Sequence, residues 1–145
     1  AGAAVINEAD SVTAISRPLH GFEFDATNCP DLFPALAALA AAADGVSTIR
    51  GTSRLLHKES NRAEAIREEY AKTGIEVDIS EEDVMRIRGG AIRPARVFSH
   101  GDHRIAMSMA VSALRSSGAI TIEGAEAVAK SYPRFFEDLE SLRVN

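Results

Sequence analysis

Four basic side chains stand near the expected starts of helices. Lys58 and Arg62 lie in the first turns of one predicted helix, Arg104 lies in the first turn of another, and Lys130 precedes a third. A helix N-terminus carries partial positive charge, so a cation there is mildly unfavourable unless an anion is bound. With a phosphate or carboxylate present, backbone N–H groups, the helix dipole and the side-chain cation all favour binding. The pattern therefore predicts a site for a small polyanionic molecule.

The same four cations also have a simpler interpretation. Taken one at a time, each is a surface charge paired with a neighbouring carboxylate such as Glu59, Asp102 or Glu126. The occurrence of four cations at helix starts favours a shared ligand site over four unrelated surface pairs.

Two acidic residues could transfer protons at such a site. Asp31 begins an apolar helix, where its ordinary role is to cap the N-terminus. As a catalytic group it would be a base, because the helix dipole favours its carboxylate form. Glu59 lies three residues before Arg62, and it is either an intrahelical ion-pair partner or a general acid or base beside the anion. The residue types leave both alternatives open.

The histidines and the cysteine give weaker indications. His100 and His103 have a spacing that could contribute to a metal site, but no further run of ligands follows, and we expect no bound metal. His20 and His57 are expected to face solvent or to cap loops. Cys29 has no histidine placed by the sequence to activate it, so a buried structural role is expected.

Composition limits the class of protein. The chain has 145 residues, of which 46% are hydrophobic and 26% charged, as in a globular domain or a piece of a larger one. A net charge of −5 argues against nucleic acid or an anionic membrane as the main partner. The single cysteine excludes an intramolecular disulfide and favours a reducing compartment, the cytoplasm. The apolar stretch Ala35–Ala43 has nine residues, too few for a membrane helix, and no signal peptide is expected.

Strand-like and helix-like segments alternate along the chain. Strands are expected at residues 3–6, 12–15, 22–24, 46–49, 76–79, 84–87, 97–98 and 119–122. Helices are expected after Pro30 and over residues 58–73, 102–116 and 134–142. The first helix is apolar on all faces and should be buried. Core positions are also expected for Met107, Met109, Phe135 and Phe136.

The order of elements occurs twice. A strand, a buried helix, a second strand and an amphipathic helix appear first around residues 31–73 and again over residues 102–142, a repeat of about 70 residues. We therefore expect an α+β fold made of α/β-type repeats. The first unit, with its preceding strands, is expected in residues 1–98, and a second, partial unit in residues 99–145.

Four separated segments carry a resemblance to a known family. In chain order they are CPDLFPALAALAA, LLHKESNRAEAI, SHGDHRIAMSMAVSAL and AVAKSYPRFFEDLESL. Together they resemble the 5-enolpyruvylshikimate-3-phosphate synthase family, and the Lys-Glu-Ser-x-Arg and Asp-His-Arg-x-Ala-Met elements are the most specific. One departure is Asn61, where the family usually has Asp. This change weakens a local charge at a position that is not expected to contact a ligand.

The resemblance implies a particular architecture. Members of the enolpyruvyl transferase fold have two similar domains, each built from three βαβαββ units with helices inside and sheets outside. They are much longer than this chain, so the resemblance implies a C-terminal portion with an incomplete domain. An N-terminal domain of the same enzyme would then be its partner, and the full-length protein is expected to be a monomer.

The resemblance also implies an activity. The family transfers enolpyruvyl from phosphoenolpyruvate to the 5-hydroxyl of shikimate 3-phosphate and releases phosphate, in the shikimate pathway to chorismate and aromatic amino acids. It implies no metal and no organic cofactor. Both substrates carry phosphate and carboxylate groups, in agreement with the clustered cations.

Six residues receive roles from the resemblance. Asp31 resembles the base for the hydroxyl and a contact to shikimate 3-phosphate, and Lys58 resembles a further contact to that substrate. Glu59 resembles the acid that protonates the methylene carbon of phosphoenolpyruvate. The residues that resemble the phosphoenolpyruvate clamp, which is also the glyphosate site of sensitive members, are Arg62, Arg104 and Lys130.

Two other functions stay open. UDP-N-acetylglucosamine enolpyruvyl transferase shares the architecture and the donor, but its acceptor is a nucleotide sugar and its motifs differ from residues 58–62 and 102–107. The second alternative is a non-catalytic anion-binding module in which Asp31 and Glu59 only cap helices. In either enzyme, we expect the chain alone to be inactive and to bind its ligands weakly, because the opposite wall of the site is not part of it.

Overall fold

Strands and helices alternate through residues 1–56 and 58–142, which are the residues that the computed structural model describes. The strands are β1 (Ala4–Asn7), β2 (Val12–Ile15), β3 (Glu23–Asp25), β4 (Val46–Arg50), β5 (Glu76–Asp78), β6 (Val84–Arg88), β7 (Ala95–Phe98) and β8 (Ile120–Glu123). The helices are α1 (Phe33–Ala41), α2 (Arg62–Lys72), α3 (His103–Ala113) and α4 (Phe135–Ser141). Short 3₁₀ segments occupy Pro30–Leu32, Thr52–Leu55 and Ala125–Lys130. His57, expected in a loop or facing solvent, lies outside the described residues.

A four-stranded sheet holds the first complete unit. Its strand order is β3-β4-β6-β5, with β3 parallel to β4 and the remaining neighbours antiparallel. α1 connects β3 to β4, and α2 connects β4 to the β5–β6 hairpin, so residues 23–88 have the order βαβαββ. The hairpin expected from the alternating residues is confirmed, with Val77 opposite Ile87.

A second strand–helix–strand unit follows. β7 and β8 pair in parallel, and α3 connects them, just as α1 connects the parallel strands β3 and β4. The expected repetition in the order of elements is therefore confirmed. The division of the chain between residues 98 and 99 stays a prediction.

The core lies between the inner face of the large sheet and α1, α2 and α3. Along β4, Ser47 and Ile49 are buried while Val46 and Arg50 are exposed, the alternation of a sheet with one covered face. Alanine-rich α1 packs closely against α3 and the sheet, because its small side chains allow close approach. Burial of this helix was expected and is confirmed for most of its residues, although Ala35 stays exposed.

A buried hydroxyl network ties the three helices together. The Tyr70 hydroxyl lies 2.8 Å from Ser108 Oγ and 2.7 Å from Ser112 Oγ, which joins α2 to α3. Ser108 Oγ also donates to the Pro34 carbonyl at 2.6 Å, which joins α3 to α1. Complete burial raises the pKa of Tyr70 to about 12, despite its hydrogen bonds to the two serines. The network satisfies polar atoms that would otherwise be costly in the core.

Two helices begin later than the sequence pattern indicates. α2 begins at Arg62 and not at Lys58, because the Asn61 side chain caps it by accepting from the Glu64 N–H. α3 begins after Asp102, whose carboxylate accepts from the Arg104 N–H at 2.9 Å. A cap residue has a non-helical backbone, so each cap sets the boundary. Asn61, which stands where the family usually has Asp, should cap α2 about as well as Asp would, since both are good N-cap residues.

Some expected core positions are wrong. Phe136 is exposed and Phe135 is only half-buried, because α4 lies at the periphery and buries none of its residues. The two rings contact each other edge to face, with centroids 5.2 Å apart. Met109 is buried as expected, whereas Met107 is half-buried beside α1.

The first two strands form a hairpin apart from the core. Ala4 pairs with Ile15 and Asn7 with Val12 in an antiparallel register, as expected for neighbouring strands. The side chains of Val5, Ile6, Val12 and Ile15 are exposed. Within the two described stretches of chain, none of the helices has both the length and the apolar character to cross a bilayer.

Candidate functional site

Three of the predicted cations meet at the carboxylate of Asp31. Arg62 Nη1 lies 2.7 Å and Lys58 Nζ 3.2 Å from Asp31 Oδ1, and Arg104 Nη2 lies 3.4 Å from Oδ2. The hydrogen bond from Arg62 lowers the pKa of Asp31 most, and Lys58 and Arg104 lower it further against the opposing effect of burial. The Asp31 side chain is 49% exposed, so this cluster opens to the surface. We refer to Asp31, Lys58, Arg62 and Arg104 as the anion site.

The local structure turns Asp31 toward these cations. Asp31 lies in the 3₁₀ turn Pro30–Leu32 that precedes α1. Of the alternatives left open for Asp31, the helix cap is not observed, because its carboxylate makes no cap hydrogen bond and Leu32 holds the cap position of α1. The carboxylate is engaged by charged side chains from two other parts of the chain, and these are stronger partners than a backbone N–H.

Arg62 is the buried centre of the cluster. Its side chain is 1% exposed, its Nε donates to Asp102 Oδ2 at 2.7 Å, and its Nη2 donates to Glu59 Oε2 at 2.5 Å. With the bond to Asp31, one guanidinium holds three carboxylates. Burial would lower the pKa of Arg62, but its bonds to Asp102 and Asp31 and the negative charges of Asp102 and Glu59 raise it above its ordinary value. Arg62 is therefore charged and fixed in orientation.

Asp102 is the buried partner of this guanidinium. Its side chain is fully buried, and besides Arg62 it accepts from Ser60 Oγ at 3.2 Å and from the Arg104 N–H. Burial would raise its pKa, but these hydrogen bonds, led by Arg62, lower it below the ordinary value. A buried charge without such partners would be strongly destabilising.

Lys130 joins the site by a different route. Its Nζ donates to the Gly101 carbonyl at 2.7 Å, next to Asp102 in the chain. It lies in the last turn of the 3₁₀ segment Ala125–Lys130 and not at a helix start, and Lys58 lies in a bend before α2. The expected placement in the first turns of a helix is thus correct for Arg62 and Arg104 and wrong for Lys58, whereas Lys130 precedes α4 as expected, five residues before its first residue.

An apolar groove adjoins the anion site. It lies between α1 and α3, has a volume of about 230 Å³ and reaches Asp31 and Arg104 at one end. Complete small-molecule sites commonly enclose ~300–1,000 Å³. The remaining lining residues are Pro34, Ala35, Ala38, Met107, Ser108 and Val111. This face of the chain therefore has the character of one wall of a site.

The histidines do not form the metal site that their spacing allowed. His100 Nε2 lies 2.7 Å from Glu69 Oε1, whereas His103 is buried with no hydrogen-bond partner for Nδ1 in the described part of the chain. Glu68, Glu69 and His100 offer ligand atoms within 4.8 Å of one another, and His103 is not in this group. Lys72 Nζ lies 2.6 Å from Glu69 Oε2 and would compete with a cation there.

Sequence reasoning missed several contributors to the site. Asp102 was expected only inside a helix or as a surface partner, and neither Ser60 nor the Gly101 carbonyl was expected to take part. An Asp immediately before a helix-forming run is a recognised N-cap signal, so the position of Asp102 could have been found. The burial of Asp102 against Arg62, which lies 40 positions earlier, could not have been found from the sequence. Cys29 is half-buried against the core, in keeping with a structural role.

Comparison with known proteins gives consistent matches. The family model described as EPSP synthase (3-phosphoshikimate 1-carboxyvinyltransferase) matches residues 1–139. The 3-phosphoshikimate 1-carboxyvinyltransferase of Methanocella arvoryzae is 42% identical over 135 residues, which are 93% of this chain and 32% of that protein. The corresponding protein of Clostridium acetobutylicum is 44% identical over 124 residues, 85% of this chain and 29% of that one. The chain thus spans about a third of the length of these relatives.

Solved structures agree with the sequence matches. EPSP synthase from Acinetobacter baumannii superposes with a TM-score of 0.82 at 33% identity, covering 97% of this chain and 36% of that one. The enolpyruvyl transferase NikO from Streptomyces tendae gives a TM-score of 0.73 at 27% identity, covering 97% and 32%. The expected fold class, repeated helix and strand units of the enolpyruvyl transferase fold in an incomplete domain, is confirmed. From the family model and these relatives together, the chain belongs to the EPSP synthase family.

Proposed function

We propose that this chain forms one wall of the active site of an enolpyruvyl transferase acting in the shikimate pathway. The full-length enzyme would move enolpyruvyl from phosphoenolpyruvate to the 5-hydroxyl of shikimate 3-phosphate and release phosphate. The convergence of Lys58, Arg62 and Arg104 on the half-exposed carboxylate of Asp31 carries this proposal. Such a surface suits substrates that bring phosphate and carboxylate groups next to a group that can accept a proton.

The cations would divide the binding of the two substrates. Lys58 and Asp31 would contact shikimate 3-phosphate, while Arg104 and Lys130 would hold the phosphate and carboxylate of phosphoenolpyruvate. The Lys58 and Arg104 side chains are 27% and 36% exposed, so each can turn from Asp31 to a bound anion. Release of these two ion pairs would also make Asp31 a better base, because they contribute to its lowered pKa.

Two carboxylates would handle the protons. Asp31 would accept the proton of the 5-hydroxyl as its oxygen bonds to C2 of phosphoenolpyruvate, while Glu59 would donate a proton to the methylene carbon C3. In the second step Glu59, left as a carboxylate, would take a proton back from C3 as the C2–O bond to phosphate breaks, which restores the double bond and releases phosphate. Arg62 contacts both carboxylates, Nη1 at Asp31 and Nη2 at Glu59, so it would fix their separation.

Arg62 would have a limited direct role in binding phosphoenolpyruvate. All three of its nitrogens already donate to carboxylates, and its side chain is buried. Four of its five N–H groups donate to carboxylates of the described residues, and the fifth lies on Nη1 of this buried side chain. The assignment of Arg62 to the phosphoenolpyruvate clamp therefore requires that the substrate reach this last N–H of Nη1 or that Asp31 or Glu59 move on binding.

Shikimate 3-phosphate is a better candidate acceptor than a nucleotide sugar. The family model that matches the chain is that of EPSP synthase, and the relatives reported above are 3-phosphoshikimate 1-carboxyvinyltransferases. The segments 58–62 and 102–107, which distinguish the two kinds of enzyme, supply Lys58, Arg62 and Arg104 to the anion site. Competition binding of shikimate 3-phosphate and UDP-N-acetylglucosamine to a full-length protein would separate them.

The remaining features of the proposed protein follow from this activity. Its partner would be the N-terminal domain of the same enzyme, which would supply the opposite wall of the site. We propose a cytoplasmic monomer when full length, with no nucleic acid or membrane as partner and no cofactor.

The test uses the chain alone and the chain grafted in place of the C-terminal third of a full-length relative. Phosphate release from phosphoenolpyruvate and shikimate 3-phosphate should be absent with the chain alone and present with the graft. Turnover by the chain alone at the rate of an intact enzyme would contradict the half-site proposal. A folded graft that binds both substrates without releasing phosphate would contradict the proposal that residues of this chain take part in catalysis.

A further inference from the structure

Helix α2 contacts the segment from Phe98 to Asp102 at two points. Arg62 and Glu69 are seven residues apart, about two helical turns, so they lie on nearly the same face of α2. Both side chains are 1% exposed. Arg62 contacts Asp102 at one end of this segment, and Glu69 contacts Phe98 and His100 at the other. We refer to residues 98–102, from the last residue of β7 to the cap of α3, as the loop before α3.

Glu69 is a buried carboxylate with three donors. It accepts from the Phe98 N–H at 2.8 Å, lies 2.7 Å from His100 Nε2, and pairs with Lys72 at 2.6 Å. Burial would raise the pKa of Glu69, but the bonds from Lys72, Phe98 and His100 lower it below its ordinary value. Two of its three contacts are to this loop, so the buried acid is suited to fixing the position of the loop, while Lys72 lies on α2 itself.

The backbone of the loop before α3 includes a residue in an unfavourable conformation. His100 has a φ of 55°, in the left-handed region that residues other than glycine adopt at a cost. The bond to Glu69 and the contact of its ring with Phe98, with centroids 5.1 Å apart, hold it there. Glu68 is the other charged group at this ring, with Oε2 4.0 Å from Nε2.

The same loop determines the positions of three residues of the proposed active site. The Gly101 carbonyl accepts from Lys130, and Asp102 holds Arg62 and caps α3 at Arg104. A rotation at His100 would therefore move the acceptor of Lys130 and the carboxylate that orients Arg62. Small displacements of binding groups of this kind are costly for catalysis.

We infer that Glu69 and His100 are positioning residues, which hold the loop before α3 so that Lys130, Asp102 and Arg104 keep their arrangement at the anion site. Both act through this loop, and in the described part of the chain neither has a hydrogen bond or ion pair to the anion site. The inference rests on the proposed function for its kinetic consequence, whereas its structural consequence can be measured without any turnover.

The structural test uses NMR spectra of the chain and a matched pair of variants. Glu69→Gln removes the charge of the buried acid, and Glu68→Gln makes the same change at its exposed neighbour. We expect Glu69→Gln to shift the amide signals of Gly101, Asp102 and Arg104 and the Arg62 Nε–H signal, and Glu68→Gln to leave them in place. Inorganic phosphate, titrated into each sample, should bind Glu69→Gln several-fold more weakly than the unchanged chain.

A second pair of variants covers the case in which Glu69→Gln does not fold. His100→Ala removes the contact to Glu69 from the loop side, and His100→Asn restores a donor in a residue that tolerates the left-handed region. The alanine variant should show the shifted signals and weaker phosphate binding, and the asparagine variant should recover part of both. Signals and phosphate affinity equal to those of the unchanged chain in Glu69→Gln or His100→Ala would overturn the inference.

Kinetics of the grafted full-length enzyme give the functional readout. We expect His100→Ala to raise KM for phosphoenolpyruvate about tenfold with a smaller change in kcat, since binding groups are displaced while the proton-transfer groups stay. Loss of kcat at unchanged KM would overturn the inference. An inactive graft, with the shifted NMR signals still present, would contradict the proposed function and leave the positioning role supported.

Discussion

Arg62 and Asp102, which are 40 residues apart in the sequence, form a buried ion pair at 2.7 Å between the first residue of α2 and the cap of α3. The remaining guanidinium nitrogens reach Asp31 and Glu59, the two carboxylates proposed to transfer protons. One buried cation thus connects the packing of two helices to the geometry of the proposed chemistry. Stability and activity should be coupled at this pair.

Removal of Asp102 should destabilise the fold strongly. Asp102→Ala leaves the buried guanidinium without its principal partner and removes the cap of α3, so the free energy of unfolding should fall by about 3–5 kcal/mol. Urea denaturation measures this change. The control is Glu123→Ala, which removes an exposed pair with Arg96 and should cost about 0–1 kcal/mol. Similar losses in both variants would mean that the Arg62–Asp102 pair has no special structural role.

The pH dependence of stability should follow the carboxylates that are paired with cations in the fold. The pKa values of Asp31, Glu69 and Asp102 are lower in the folded chain than their ordinary values of 3.8, 4.5 and 3.8. Their contribution is therefore present above the unfolded pKa, near pH 4, and is lost as the pH falls through the folded values. The free energy of unfolding, measured with urea between pH 7 and pH 3, should drop at the acid end. The deficit of Asp102→Asn relative to the unchanged chain should shrink over the same range, and a constant deficit would contradict this prediction.

Loss of either proposed proton-transfer group should reduce rate more than stability. In the grafted enzyme, Asp31→Asn and Glu59→Gln should each lower kcat by about 10²–10⁴. Circular dichroism should show a folded protein in both cases, because the two side chains are 49% and 39% exposed and neither belongs to the core. Unchanged turnover in both variants would support the alternative in which the chain contributes a non-catalytic anion-binding module.

The hydroxyl of Tyr70 should matter for stability, and that of Tyr132 should not. Tyr70→Phe removes the buried partner of Ser108 and Ser112, and we expect a loss of about 1–3 kcal/mol from the free energy of unfolding. Tyr132→Phe makes the same chemical change at an exposed hydroxyl that donates to Asp138, so its effect should stay below about 1 kcal/mol. Thermal or urea melts of the two variants give the comparison, and an equal loss in both would count against the buried network.

Local patterns were enough to predict the elements and their order. The alternation around Val77 and Ile87 predicted a hairpin, and the apolar residues from Phe33 to Ala41 predicted a buried helix, because both signals depend on near neighbours in the sequence. Patterns were less accurate at the ends of elements. The predicted helix began at Lys58, whereas α2 begins four residues later, at Arg62. They also failed for Phe136, whose exposure depends on the peripheral position of α4.

By itself the sequence determined the residue types of the site, the repeat of strand and helix units, and the family to which four motifs point. Only the tertiary structure decided that Asp31 faces cations from positions 31 and 73 residues away, that Arg62 is buried, and that Lys130 reaches the Gly101 carbonyl. The physical reason is that patterns of charge and hydrophobic periodicity in a sequence report only on residues that are a few positions apart in the chain. Burial and ion pairing in this site, by contrast, depend on how α1, α2 and α3 pack against one another.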